Sequence, residues 1–144
     1  MIITSSELNK YYDSRRITDL ADDNNDGAAD TGVLDAVINA ACELIYAMLR
    51  KVEPDTSVID AAASLKKAAA SIAMYYLEQR RGDLTDGIRQ AYQETMTYIT
   101  ALANGDAILP ETARVYPQVS PDTLRNVYEQ SGYFEGLSDD TSSD

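Results

Sequence analysis

The stretch ADDNNDGAAD, residues 21–30, holds the side chains best placed to do chemistry in this chain. Side-chain oxygens recur at alternate positions, Asp22, Asn24 and Asp26; Gly27 then permits a sharp turn and Asp30 adds a further carboxylate. Calcium takes oxygen ligands, and an EF-hand loop supplies them from its first, third, fifth, seventh and ninth positions, with a glycine at the sixth and a bidentate glutamate at the twelfth. Asp22, Asn24, Asp26, Gly27, Ala28 and Asp30 fit that pattern through the ninth position, but the twelfth is Val33, which cannot coordinate. Two readings therefore stand side by side. One is a weak cation site on Asp22, Asn24, Asp26 and Asp30, holding calcium at roughly 10⁻⁴ to 10⁻³ M. The other is an Asx-rich turn leading into a helix cap, which needs the same residue types.

Other chemistry is scarce. The chain has no histidine, so the usual general base near neutral pH and the commonest transition-metal ligand are both missing. No paired carboxylates or activated nucleophile stand out. The expectation is a protein that is not an enzyme, with no cofactor beyond a weakly held calcium ion. The single cysteine, Cys42, excludes an intramolecular disulfide and suits a reducing compartment. It falls on an apolar helical stripe and reads as a small buried hydrophobe.

The net charge of −12 is spread as −4 over residues 1–32, −2 over 33–105 and −6 over 106–144. A surface this acidic repels phosphates, which disfavours tight nucleic-acid binding. No run of 18 apolar residues occurs, and MIITSSELNK lacks a basic leader followed by an apolar stretch. Neither a membrane span nor a secretory signal is expected.

The elements that would position the loop are helical throughout. Thr4 and Glu7 have capping-box spacing and predict a short helix over about 5–12; SRRITDLA predicts a second, with Ile17 and Leu20 inward. After the loop, Val33, Leu34, Val37, Ile38, Ala41, Leu44, Ile45, Met48, Leu49 and Val52 recur at three- and four-residue steps, which gives a helix over 31–52. Asp30 or Thr31 can cap it, and Pro54 stops it. An alanine-rich helix is predicted over 57–81, with Ile59, Ala62, Leu65, Ala69, Ile72, Ala73, Tyr76 and Leu77 inward and Gly82 ending it. A third long helix over 85–104 turns Ile88, Ala91, Tyr92, Thr95, Ile99 and Leu102 inward and closes at Gly105. At 144 residues the fold class is all-α: a small helical bundle over 1–105, then an extended C-terminal arm with an acidic tail over 106–144. In that arm a short helix is expected from Ser120 to about Tyr128, and the last residues are too polar to pack unaided.

The order of these parts resembles the Mu-like family of tailed-phage head–tail connector proteins, also called adaptors or head-completion proteins. MIITSSELNKYY, ITDLADDNNDGAADTGVLDAVINAACELIYAML, LKKAAASIAMYYLEQRRG and TYITALANGDAIL carry the resemblance over residues 2–109. It implies a structural protein of the virion neck, assembled in the host cytoplasm. Such a subunit joins a dodecameric ring beneath the portal protein, extends the DNA channel, and offers a platform to the next neck or tail-completion protein. DNA would pass through without specific binding, and no membrane is involved. Tyr116, Tyr128, Tyr133 and Phe134 are then candidates for anchoring the arm on a neighbouring chain, against the alternative that they pack on their own bundle. The alternative functions are a calcium-binding helical module, for which no second loop exists to pair with the first, or another helical interaction protein. A DNA-reading helix would be more basic than 57–81, which carries only Lys66, Lys67, Arg80 and Arg81.

Overall fold

A computed structural model describes residues 1–110 of the chain. Six helices follow one another: α1 (Ser5–Leu8), α2 (Ser14–Ala21), α3 (Thr31–Leu49), α4 (Thr56–Ala61), α5 (Ala63–Arg81) and α6 (Asp86–Asn104). Among the described residues there is no strand, as the apolar periodicity implies. The expected arm of 106–144, with its short helix after Ser120, lies almost wholly outside the described residues.

The first helix starts as its sequence dictates. The Thr4 hydroxyl accepts from the Glu7 amide at 3.3 Å, and the Glu7 carboxylate accepts from the Thr4 amide at 2.9 Å. It is shorter than the 5–12 expected, because residues 9–12 close as turns onto Leu8. Leu8, and then Ile17, Leu20 and Ala21 of α2, are buried.

Helices α3, α5 and α6 form the body. Hydrogen bonds tie late α6 to early α5 (Tyr98 to Ser64) and the start of α6 to late α5 (Thr85 to Glu78), so these two run antiparallel. α5 is the central element and packs against α3, α6 and α2. Its alanines make this possible: Ala68, Ala69, Ala70 and Ala73 are all buried and bring neighbouring helices close. The predicted inward residues of α3 divide by depth. Leu34, Val37, Ile38, Ala41, Ile45 and Leu49 are buried, Val33, Leu44 and Met48 are half-buried, and Val52 lies past the helix end with 46% exposed. Cys42 is buried, as its place on the stripe implies. In α6 only Ile99 and Leu102 are fully buried, so its first half rides on the edge of the body.

Two local expectations are corrected. The helix predicted over 57–81 is two helices, broken at Ala62, whose ψ of 114° is extended. Alanine's helix propensity is worth only tenths of a kcal/mol per residue, and tertiary packing overrides it. The break lets Ile59, Ala62 and Leu65 all reach the core, while Asp60 accepts from the Tyr46 hydroxyl and from the Met1 ammonium. Asp30 does stand at the N-cap position of α3, but its side chain makes no capping bond there.

α5 and α6 end as their glycines require. Gly82 and Gly105 adopt φ of 71° and 80°, in the left-handed region that costs other residues steric strain. Beyond Gly105 the chain still packs: the Asp106 amide donates to the Ala101 carbonyl, and Leu109 is buried in the core. α3 is long and apolar enough, by length and composition alone, to cross a bilayer. Here its inner face is part of the core.

Candidate functional site

The four loop residues singled out from sequence do come together, between α2 and α3. Their oxygens are turned onto the loop's own amides. The Asp22 carboxylate accepts from Asp26 N at 3.1 Å and Gly27 N at 2.9 Å. Asn24 Oδ1 also accepts from Asp26 N, and Asp26 Oδ1 accepts from Ala28 N at 2.9 Å. Asp30 reaches back across the loop to accept from Asp23 N at 2.8 Å and from the Asn24 side-chain amide at 3.3 Å. Asn25 and Gly27 take positive φ values of 58° and 84°, which produce the tight reversal. This is an Asx-rich turn whose side-chain oxygens supply acceptors for amides that no helix or sheet partner satisfies. A calcium ion at Asp22, Asn24, Asp26 and Asp30 would compete with those amides for the same lone pairs. Among the described residues no three acidic or cysteine side chains converge as a metal-binding group.

A second cluster holds the loop to the body, and sequence reading did not find it. At the C-terminal end of α5, Arg80 pairs with the Asp23 carboxylate. Arg81 Nε donates to the Leu20 carbonyl at 3.0 Å, and its Nη2 donates to the carbonyls of Asp19 and Asp22. Three carbonyls left open at the end of α2 are thereby satisfied by one guanidinium. Arg80 beside Asp23 holds that carboxyl below its ordinary range. Next to it, Glu78 is 2% exposed; it receives Arg16 at 3.3 Å and accepts from both the amide and the hydroxyl of Thr85, at 3.0 and 2.9 Å. Arg16 also binds Asp83 at 2.7 Å. The sequence did contain a clue: Ser71, Met74 and Glu78 continue one helical stripe beside the predicted one, and all three are buried.

Two surface features remain. Between α5 and α6 runs a groove of about 420 Å³, bordered by Lys67, Ala68, Ala91, Glu94 and Thr95. Its floor is lined with hydroxyls: Tyr12 bonds Ser71 at 3.2 Å and Tyr98 bonds Ser64 at 3.3 Å. A turn along α5, the rings of Tyr75 and Tyr92 stack with centroids 3.9 Å apart. At the far corner of the body, a smaller cavity of about 140 Å³ is lined by Leu49, Val52, Leu102, Ile108 and Leu109. Tyr116, Tyr128, Tyr133 and Phe134, the expected interface residues, lie outside the described residues.

Comparison with known proteins supplies a family. The sequence profile described as "Bacteriophage Mu, Gp36" matches residues 3–126, which take in the loop, the arginine cluster that holds it and every described helix. No curated protein matches the chain.

Proposed function

The chain belongs to the bacteriophage Mu Gp36 family, and on that premise we propose that it is a structural protein of the phage neck, forming a ring beneath the portal that extends the DNA channel and links head to tail. The observation that carries this reading is the family match over residues 3–126, joined to the order of parts that resembles head–tail connectors over residues 2–109. Two physical features support it. A net charge of −12 suits a channel wall along which DNA slides without sticking. The ionic groups of the loop cluster are spent on holding helices together, which suits a subunit whose task is mechanical.

In this reading residues 111–144 are the docking arm. Tyr116, Tyr128, Tyr133 and Phe134 are spaced too widely for one core stripe and suit separate pockets on the portal or on neighbouring subunits. The arm's acidity calls for a basic receiving surface. Leu109 belongs to the core, so a cut after Pro110 keeps it with the body.

Mass measurement of the purified chain, alone and mixed with portal rings, tests the reading. The expected result is a dodecameric assembly bound to the portal, lost when the chain is cut after Pro110. A chain that stays monomeric beside the portal overturns it.

A further inference from the structure

The apolar corner where α3 and α6 end is left open. Among the described residues four large apolar side chains are exposed, and two of them, Val52 and Ile108, line the same cavity. With Leu49, Leu102 and Leu109 they surround about 140 Å³. An apolar cavity of about 150 Å³ accepts a benzene ring, so this one has room for a single aromatic side chain. Among the described residues its lining holds one ionisable group, the half-buried Glu53. The Glu53 carboxylate accepts from the Asp55 amide at 3.0 Å and forms no ion pair with any described residue. A half-buried carboxylate beside apolar walls favours a ring that brings a positive charge with it.

The arm of this chain carries such a ring. It departs from the cavity itself, since Leu109 lines the space and residues 111–144 follow Pro110. The arm's two bases each precede a tyrosine: Arg114 by two positions before Tyr116, and Arg125 by three before Tyr128. No base lies close to Tyr133 or Phe134, and Glu135, Asp139 and Asp140 follow them. In the short helix expected after Ser120, Arg125 and Tyr128 share a face, while Glu129 points about 100° away.

Reach separates the two tyrosines. A body of this length has a radius of gyration near 13 Å and is roughly 34 Å across, which sets the spacing of equivalent cavities in copies packed side by side. Tyr116 lies six positions past Pro110, about 20 Å at full extension, and falls short of a neighbour's cavity. For Tyr128, an extended run to Ser120 spans about 33 Å and the helix adds about 12 Å. It reaches.

We infer that the cavity beside Leu109 takes the Tyr128 ring from the arm of a neighbouring copy, with Arg125 set on Glu53. The inference rests on the ring reading above and deepens it by assigning the arm's receiving pocket. Each copy carries one arm and one cavity, so the contact is heterologous, and repetition closes a ring when the rotation per step allows. An aromatic side chain seated in an apolar pocket, with a charge pair at its edge, is the arrangement that concentrates binding energy in few residues.

Full-length variants test the contact, alone and on portal rings, with sedimentation and native mass as readouts. Tyr128→Ala and Arg125→Glu, each alone, should weaken self-association about tenfold or more. Glu53→Arg should do the same, and adding Arg125→Glu to it should restore assembly, which a misfolded body could not show. Covalent capture identifies the copy that supplies the arm. In a Cys42→Ala background, co-expressed chains bearing only Lys51→Cys or only Glu129→Cys should be joined by a short bismaleimide into a mixed dimer. A chain with both cysteines should link into a ladder of oligomers; one that closes on itself and stays monomeric overturns the contact in favour of an arm seated on its own body. Rings that form equally well with Tyr128→Ala and with Arg125→Glu also overturn it, and leave the neck reading standing. A natural chain that is monomeric both alone and beside the portal overturns the two together.

Discussion

At one corner of the body, where the Asp/Asn loop meets the end of α5, three arginines and the buried Glu78 hold the chain through ion pairs and carbonyl hydrogen bonds. At the other corner, where α3 and α6 end, Leu49, Leu102 and Leu109 do the holding by exclusion of water, around a small cavity with Ile108 70% exposed beside it. The polar corner closes a loop that has too few apolar side chains to bury, so its stability is directional and depends on charge. The apolar corner lies where the chain continues past the last helix, and its stability scales with buried area and is indifferent to pH. One fold thus uses two different forces at its two corners, and conditions that loosen one should spare the other.

The largest expected effect lies between the corners. Ile72 is fully buried in α5, and Ile72→Asp should cost about 4 kcal/mol or more by burying an unpaired carboxylate. Both corners should then melt in a single transition by circular dichroism. If hydrogen exchange shows one corner protected while the other is open, the two are separate folding units and the contrast is of domains. Leu44→Asp, at a half-buried position, should cost clearly less.

At the polar corner, Glu78→Ala should cost about 2 kcal/mol in urea unfolding, because the Thr85 amide and hydroxyl lose their acceptor together while Arg16 keeps only Asp83. Glu78→Gln keeps the Thr85 bonds and should cost about half as much. Equal costs for the two variants would show that the charge on Glu78 is irrelevant there.

Leu109→Ala, at the apolar corner, should cost about 2 kcal/mol, the low end of the range for a buried leucine, since the cavity beside it opens to solvent. That cost should stay constant between low and high salt. A strong salt dependence would erase the distinction between the corners.

Acid provides a finer separation. Arg80 lowers the carboxyl of Asp23 below its ordinary value of 3.8. A depressed pKa contributes stability above the unfolded value and loses it as pH falls through the folded one. Loop amides should therefore gain exchange, corrected for intrinsic rate, as pH drops below about 4, ahead of the amides of Leu102 to Leu109. Asp23→Asn should remove that difference. Loop amides that open no earlier than the others in the unaltered chain would count against the Arg80–Asp23 pair as the cause.

The smallest expected effect is calcium's. Because Asp22, Asn24, Asp26 and Asp30 already accept from amides, calorimetry should detect binding only at roughly 10⁻⁴ to 10⁻³ M. Micromolar affinity would mean that the loop rearranges around the ion.

The three long helices were legible because an apolar stripe at helical spacing is a local signal, and α3 and α6 begin and end within a few residues of where periodicity, Pro54 and Gly105 place them. The break at Ala62 was not legible. Nothing in DAAASLKK disfavours a helix, and only the core demand of Ile59 and the distant partners of Asp60 create the interruption. The arginine clamp was hidden for a related reason: Arg81 binds carbonyls some 59 to 62 positions away, and backbone acceptors have no residue type to recognise. In the loop, the letters identified the right residues. Whether their oxygens face an ion or an amide depends on backbone angles such as that of Asn25, which composition does not carry.

The stacked rings of Tyr75 and Tyr92 have an optical consequence. The chain contains ten tyrosines and no tryptophan, so its near-ultraviolet absorption and emission come from tyrosine, undimmed by transfer to an indole. Of the tyrosine pairs among the described residues, this one lies nearly parallel, with an interplanar angle of 12°, and couples α5 to α6 at the end of the groove. Its near-ultraviolet circular dichroism is a native, label-free gauge of that seam. Anything that wedges the two helices apart should change the signal, even where the far-ultraviolet helix bands stay unchanged.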